Sequence, residues 1–130
     1  MQPAIPYPEP MMLGSSLNVR MRPIGNPIIL TGTYVSGLMF TDDPMTVYAE
    51  MSEGDTLQLS REPTNDYDRR AVAIMDAKGR KVGYVPHSIN CIIANLMDGG
   101  KDVYAQVGSL EKRYGEPEIW IDIVMDDFRA

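Results

Sequence analysis

Only one cysteine, one histidine and one tryptophan occur among the 130 residues of this chain. A lone cysteine, Cys91, excludes an internal disulfide and suits a reducing compartment, so the expected location is the cytoplasm. One Cys and one His are too few for a structural zinc site. No GxxxxGK[ST] loop is present to cradle nucleotide phosphates. His87 has no identifiable nucleophile partner, so neither a Ser/His/Asp nor a Cys/His set can be assembled. The expectation is a non-enzyme with no cofactor and no metal. No apolar run approaches the ~20 residues needed to cross a bilayer. The opening MQPAIPYPEPMMLG lacks a positive charge ahead of an apolar block and does not read as a secretory signal.

Basic residues are also scarce. Twelve Lys and Arg face eighteen Asp and Glu, for a net charge of −6. A surface that grips a phosphate backbone along its whole length needs the opposite balance. The distribution is uneven, however. Residues 37–60 hold five acids (Asp42, Asp43, Glu50, Glu53, Asp55) and no base, whereas residues 61–90 hold six bases against four acids. Polyanion contact would therefore be local to the central segment, unless those charges merely solvate a face.

What is present fits one domain with a modest core: 44% hydrophobic and 23% charged residues. Residues 1–27 stand apart, with six of the ten prolines and four methionines. They read as an extended Pro/Met-rich arm, able to pack on the domain (residues 28–130) or on a neighbouring copy. From Ile28 the pattern turns to β. IILTGTYV is a first strand, Gly37 a bend, and Leu38–Thr41 its continuation. MTVYAEM suggests one or two helical turns. LQLSRE alternates as a half-buried strand. AVAIMD and KVGYVP form a hairpin through AKGR, where Gly79 supplies a positive φ, and Pro86 ends the second strand. Ser88 is placed to cap a helix from Ile89 to Asp98 with Ile89, Ile92, Ile93 and Leu96 on one face; Gly99 and Gly100 stop it. VYAQVGSL and EIWIDIVM complete about six strands. The fold class is mainly β, a small barrel with one main helix. Cys91 is expected to be a small buried or half-buried hydrophobe, and Asp126 and Asp127 to solvate an acidic end. Asp42 and Asp43 before a proline are expected to make a turn.

The segment REPTNDYDRRAVAI, followed by GRKVGYVP and a helix ending IANLMDGG, resembles the HIRAN domain. The similarity extends from GLMF at 37–40 through the last strand, over roughly 29–126. It implies a modified oligonucleotide-binding (OB)-type barrel that binds single-stranded DNA and its free 3′ end, in a standalone bacterial or phage-type member serving DNA repair or replication. Read alone, Phe40 and Tyr67 fit either barrel packing or outward stacking; the resemblance implies two base-stacking rings. It implies that Asp68 accepts a hydrogen bond from a terminal 3′-hydroxyl, a donor that a carboxylate welcomes while repelling phosphate. Asn65 orders the turn and contacts the terminal nucleotide, unless both it and Asp68 are turn formers only. Arg69, Arg70, Lys81 and His87 are the phosphate candidates, and Tyr84 stands where a His occurs in end-binding members. Met39 replaces the family's phosphate-binding Arg, Thr41 the following aromatic, and Asp66 the proline before the turn tyrosine. These departures bear on DNA affinity and on end preference. With the acidic charge and the arm, they leave a second reading, a protein-interaction or self-assembly module without DNA binding.

Overall fold

The computed structural model describes residues 26–127. The expected arm lies outside these residues, save for Asn26 and Pro27, which already belong to a strand. Six strands alternate with two helices: β1 (Asn26–Tyr34), α1 (Pro44–Ala49), β2 (Thr56–Arg61), β3 (Val72–Met75), β4 (Lys81–Tyr84), α2 (His87–Asp98), β5 (Asp102–Arg113) and β6 (Glu116–Asp127). All pairings are antiparallel, in the order β1-β6-β5-β2-β3-β4. Each strand has one apolar face, and curling the sheet turns those faces inward. Leu57, Val72, Ile74, Val82, Ile119, Ile121 and Ile123 are fully buried there. The expected mainly β architecture with one main helix is observed, although β5 and β6, at twelve residues each, are long rather than short.

The curl closes at one point. Just past β1, Ser36 and Tyr84 exchange two backbone hydrogen bonds of 2.8 Å each, joining the first strand's extension to the last strand in the sheet order. Gly83 permits this approach. A Cβ on Gly83, whose φ is 156°, would stand 2.5 Å from both the Ser36 carbonyl oxygen and Val35 Cγ1. Glycine is the residue that lets backbone meet backbone in this way.

Four local expectations are corrected. Leu38–Phe40 is a 3₁₀ turn, not strand: Gly37 adopts φ 77° and the chain reverses, with Phe40 N–H bonded to the Gly37 carbonyl at 3.0 Å. Leu38 is buried by this reversal, whereas Met39 and Phe40 face out. Helix α2 begins at His87, with Pro86 at its N-cap and no side-chain cap from Ser88. Ile89 and Asn90 N–H both reach the Pro86 carbonyl at 3.1 Å. The buried stripe is Ile89, Ile93, Leu96 and Met97 with Asn90 and Ala94, while Ile92 flanks it and is exposed. Cys91 is exposed rather than buried, its Sγ contacting the Arg70 guanidinium. Asp126 is buried, not solvating, and accepts a hydrogen bond from the Tyr104 hydroxyl at 3.3 Å; the Asp127 side chain lies outside the described residues.

Other expectations hold. Helix α1 supplies the helical turns read from MTVYAEM, packing Val47 into the core. Asp42 and Asp43 sit in the turn before Pro44. Gly79, at φ 79°, makes the β3–β4 turn. The C-terminus of α2 is a Schellman stop, with Lys101 N–H to the Leu96 carbonyl, Gly100 N–H to that of Met97, and Gly100 at φ 91°. No described helix is long and apolar enough to cross a membrane.

Candidate nucleic-acid interface

The β2–β3 connection, residues 62–71, is a loop pinned by its own side chains. Its neck closes through Glu62 N–H to the Ala71 carbonyl at 3.0 Å. Within it, Asn65 Oδ1 accepts from the Tyr67 and Asp68 N–H groups at 2.8 and 3.0 Å, an Asx turn. Asp68 Oδ1 then accepts from Arg70 N–H at 2.8 Å, making a second such turn. Both residues therefore form turns. Between them the Tyr67 side chain projects away from the barrel, 98% exposed on a backbone held at its own amide and the next.

Behind the loop lies a polar cluster. Glu62 Oε1 accepts from Asn65 Nδ2 at 3.0 Å and from the Tyr84 hydroxyl at 2.7 Å. Lys81 Nζ reaches Glu62 Oε2 at 2.9 Å and the Tyr84 oxygen at 2.7 Å, and stands 4.8 Å from the Tyr84 ring centroid. Burial pushes the Glu62 carboxyl up, but hydrogen bonds from Lys81, Asn65 and Tyr84 outweigh it and hold it below the usual range. Bonds to Tyr84 and Glu62 raise Lys81. Asn65 thus spends both ends of its amide on ordering the turn. Lys81 and Tyr84 brace it from β4.

Asp68 lies where the loop meets the first turn of α2. Its Oδ2 receives Asn90 Nδ2 at 2.7 Å and faces His87 Nδ1 at 3.0 Å. His87 and Asn90 are three residues apart and so share a helix face. These contacts, with His87 first, then Asn90 and the Arg70 amide, lower the Asp68 carboxyl from 3.8 to about 2. The group is an anion at any physiological pH. A carboxylate offers about four acceptor sites. Three are taken, two on Oδ2 and one on Oδ1, so Oδ1 keeps one for a ligand donor, on a side chain 23% exposed.

Phe40 is linked to the loop through a chain of bonds. Its 3₁₀ turn follows directly on Ser36, which is bonded to Tyr84, and Tyr84 is bonded through Glu62 to Asn65. The ring is 95% exposed. An open depression of ≈ 440 Å³ lies beside Tyr67, lined by residues 61–67. Of the cationic candidates, Arg69 is exposed with no side-chain partner among the described residues. Arg70 is drawn onto Cys91, Lys81 is paired with Glu62, and His87 faces Asp68. Sequence gave no notice of Glu62 or Asn90. Asn90 carried one unused signal, a polar residue three positions after His87 and next to the apolar Ile89 and Ile93. Among the described residues, no group of three or more His, Cys, Asp or Glu is gathered to hold a metal.

A curled six-stranded sheet closed by one bridge, with a pinned loop and a helix start sharing its rim, defines a small OB-like barrel module. The chain belongs to the HIRAN domain family, whose model matches residues 29–125. Among solved structures, it is similar to a Lactobacillus plantarum protein from a structural genomics programme, at 25% identity and a TM-score of 0.70, over 77% of this chain and 95% of that one. It is also similar in fold to the HIRAN domain of human HLTF. The crystal structure of that domain gives 17% identity, a TM-score of 0.59 and 78% coverage of each chain. Its NMR structure gives 16%, 0.51, and 78% of this chain against 80% of that one. No curated protein sequence matches the chain.

Proposed function

We propose that this chain is a noncatalytic nucleic-acid-binding module that takes single-stranded DNA by its free 3′ end, in DNA repair or replication within a reducing cytoplasm. The observation that carries the reading is the pairing of Tyr67, turned fully outward on a pinned loop, with Asp68, an ionised carboxylate that keeps one acceptor site. Phe40, equally outward, supplies a second ring on the same rim. Base stacking on an exposed ring contributes about 1–3 kcal/mol per base. A terminal hydroxyl can donate to Asp68 Oδ1. A continuing phosphate brings a second negative charge to the same place, where the two anions repel. The carboxylate therefore separates ends from interiors.

Fluorescence anisotropy with oligonucleotides ending in a 3′-hydroxyl or a 3′-phosphate tests the reading. At least tenfold preference for the hydroxyl is expected. Equal affinities remove end reading, and no binding at low salt removes the DNA ligand. The pure protein is expected to hydrolyse no ATP.

One observation favours a second reading, an assembly module. Strand β1 forms one end of the strand order, carries no charged residue, and exposes Ile28 and Ile29 near its start and Tyr34, paired edge-to-face with Trp120, at its end. Uncharged edges of this kind invite pairing. Light scattering on full-length protein and on protein lacking residues 1–25 distinguishes the two: an arm-dependent oligomer without DNA affinity supports assembly.

A further inference from the structure

Six bases between residues 61 and 90 make this segment nominally the cationic part of an acidic protein. The structure shows where each charge goes. Arg61 forms a two-pronged pair with Asp98, at 2.9 and 3.2 Å, and gives its remaining arm to the Ala71 carbonyl. Lys78 and Arg80 converge on Glu50, at 3.0 and 2.9 Å, with Arg80 also on Asp76. Lys81 is held by Glu62 and the Tyr84 hydroxyl. Arg70 lies along α2 on the Cys91 sulfur, close enough to Asp98 to help hold that carboxyl low after Arg61 has done so. Only Arg69 has no partner among the described residues. Meanwhile the depression beside Tyr67 is lined by Glu62 and Asp66, and its one base is the committed Arg61.

We propose, resting on the DNA-end reading above, that the cations of this rim are already committed within the fold, so that the ligand unit is a short strand terminus with at most one or two phosphates neutralised. A phosphate that recruits Lys81 or Arg61 displaces a carboxylate and leaves it facing the strand, so the exchange gains little net neutralisation. The rim therefore cannot track a backbone. Recognition ends within two or three nucleotides of the terminus, and most of the affinity is insensitive to salt.

For single strands, the logarithm of affinity falls with that of salt by about 0.7 per phosphate neutralised. One contact predicts about a threefold loss between 50 and 200 mM NaCl, two about sevenfold, and six about 300-fold. The test uses 5′-fluorescein oligothymidylates of 2, 4 and 12 residues ending in a 3′-hydroxyl, titrated with the whole chain at both salt concentrations. Expected are affinities within about threefold for the 4- and 12-mers and a salt loss no larger than about sevenfold. Arg69→Gln flattens what salt dependence remains, whereas Glu62→Gln, which frees Lys81, steepens it by about 0.7. Affinity climbing at least tenfold from 4 to 12 residues, or a salt loss above about 50-fold, overturns the short terminal unit while leaving DNA binding intact. Absence of binding by every oligomer at 50 mM overturns both readings.

Discussion

Replacing Gly83 with alanine tests whether the barrel's single closing bridge also positions the rim. The added Cβ would lie 2.5 Å from the Ser36 carbonyl oxygen and from Val35 Cγ1. Ordinary contacts begin near 3.4 Å, so one wall of the closure must withdraw by roughly 1 Å. Overpacking of this kind costs about 1–3 kcal/mol. The positive φ of 156° adds strain of about 1 kcal/mol. Opening the bridge forfeits the two Ser36–Tyr84 hydrogen bonds, about 1 kcal/mol each. Since opening relieves the clash, these do not all add, and the expected loss is about 3–4 kcal/mol, a large fraction of the stability of a domain this size. Urea unfolding followed by Trp120 fluorescence reads it as a midpoint lowered by about 2 M. Gly79→Ala is the control: its φ is 79° but nothing lies within 4 Å of the new Cβ, so only backbone strain of about 1 kcal/mol is expected. The Leu38 amide is also within 3.5 Å of the Gly83 Cβ position, so the turn carrying Phe40 moves with the closure and oligonucleotide affinity falls. A loss below about 1 kcal/mol, or one equal to that of Gly79→Ala, refutes the role of close approach at Gly83.

The remaining expectations separate binding from stability. Phe40→Ala and Tyr67→Ala each weaken 3′-hydroxyl oligonucleotide binding by about 1–3 kcal/mol, yet shift the urea midpoint by no more than about 0.5 kcal/mol equivalent, since both rings are in solvent. Leu57→Ala does the reverse, costing about 2–5 kcal/mol of stability in calorimetry because Leu57 is fully buried. Asp68 titrates near 2 when folded against a usual 3.8, so the folded state binds fewer protons than the unfolded one in that interval. Its stabilisation is full above about 4 and lost as pH falls towards 2; Asp68→Asn flattens that acid limb and equalises 3′-hydroxyl and 3′-phosphate affinities. Asn90→Leu withdraws one donor from Asp68 Oδ2, and carboxyl-carbon NMR is expected to show the Asp68 titration moving up from about 2.

The sequence disclosed elements whose signal is local and periodic. Alternation at Leu57 and Leu59 and at Ile119, Ile121 and Ile123, the glycine at 79 and the paired glycines at 99 and 100 each act within a few residues, and the structure agrees. What was hidden depends on partners far along the chain. Leu38–Phe40 looks strand-like because aromatic and aliphatic residues favour strands, but the left-handed Gly37 and the pull of Leu38 into the core make it a 3₁₀ turn. Ser88 looks like a cap because the rule is composed of residue type alone; the Pro86 carbonyl, set by the end of β4, starts the helix two residues earlier. Cys91 and Ile92 look like core by residue type, but the face of α2 that meets the sheet carries Ile89, Ile93 and Ala94, and they fall outside it. At the site, residue types were legible and commitments were not. Nothing in the local pattern of Lys81 announces that Glu62, nineteen positions earlier, holds it.

Exposure alone does not make a site, and Tyr114 shows why. It is 98% exposed, as is Tyr67, but it stands at the tip of the β5–β6 hairpin, itself at φ 52° beside Gly115 at φ 82°. An exposed Arg113–Glu118 ion pair at 3.5 Å spans the hairpin, but no described side chain bonds to the Tyr114 or Gly115 backbone, so a ring there must lose its freedom when a ligand arrives, which subtracts from whatever stacking contributes. Tyr67 differs in its backbone. Asn65 holds the Tyr67 amide, Glu62 holds Asn65, and Tyr84 and Lys81 hold Glu62 from a strand of the closed sheet. The rim thus divides its residues in two. Asn65, Glu62, Lys81 and Tyr84 spend their hydrogen-bonding capacity on one another and are spoken for before any ligand comes. Phe40, Tyr67, Arg69 and one lone pair of Asp68 are left over on a stiffened frame. Folding has no use for that second set, since two solvated rings and an unpaired guanidinium add nothing to the core. A frame that holds them still supports the proposed ligand, since a flat base with a hydroxyl beside it matches what they offer.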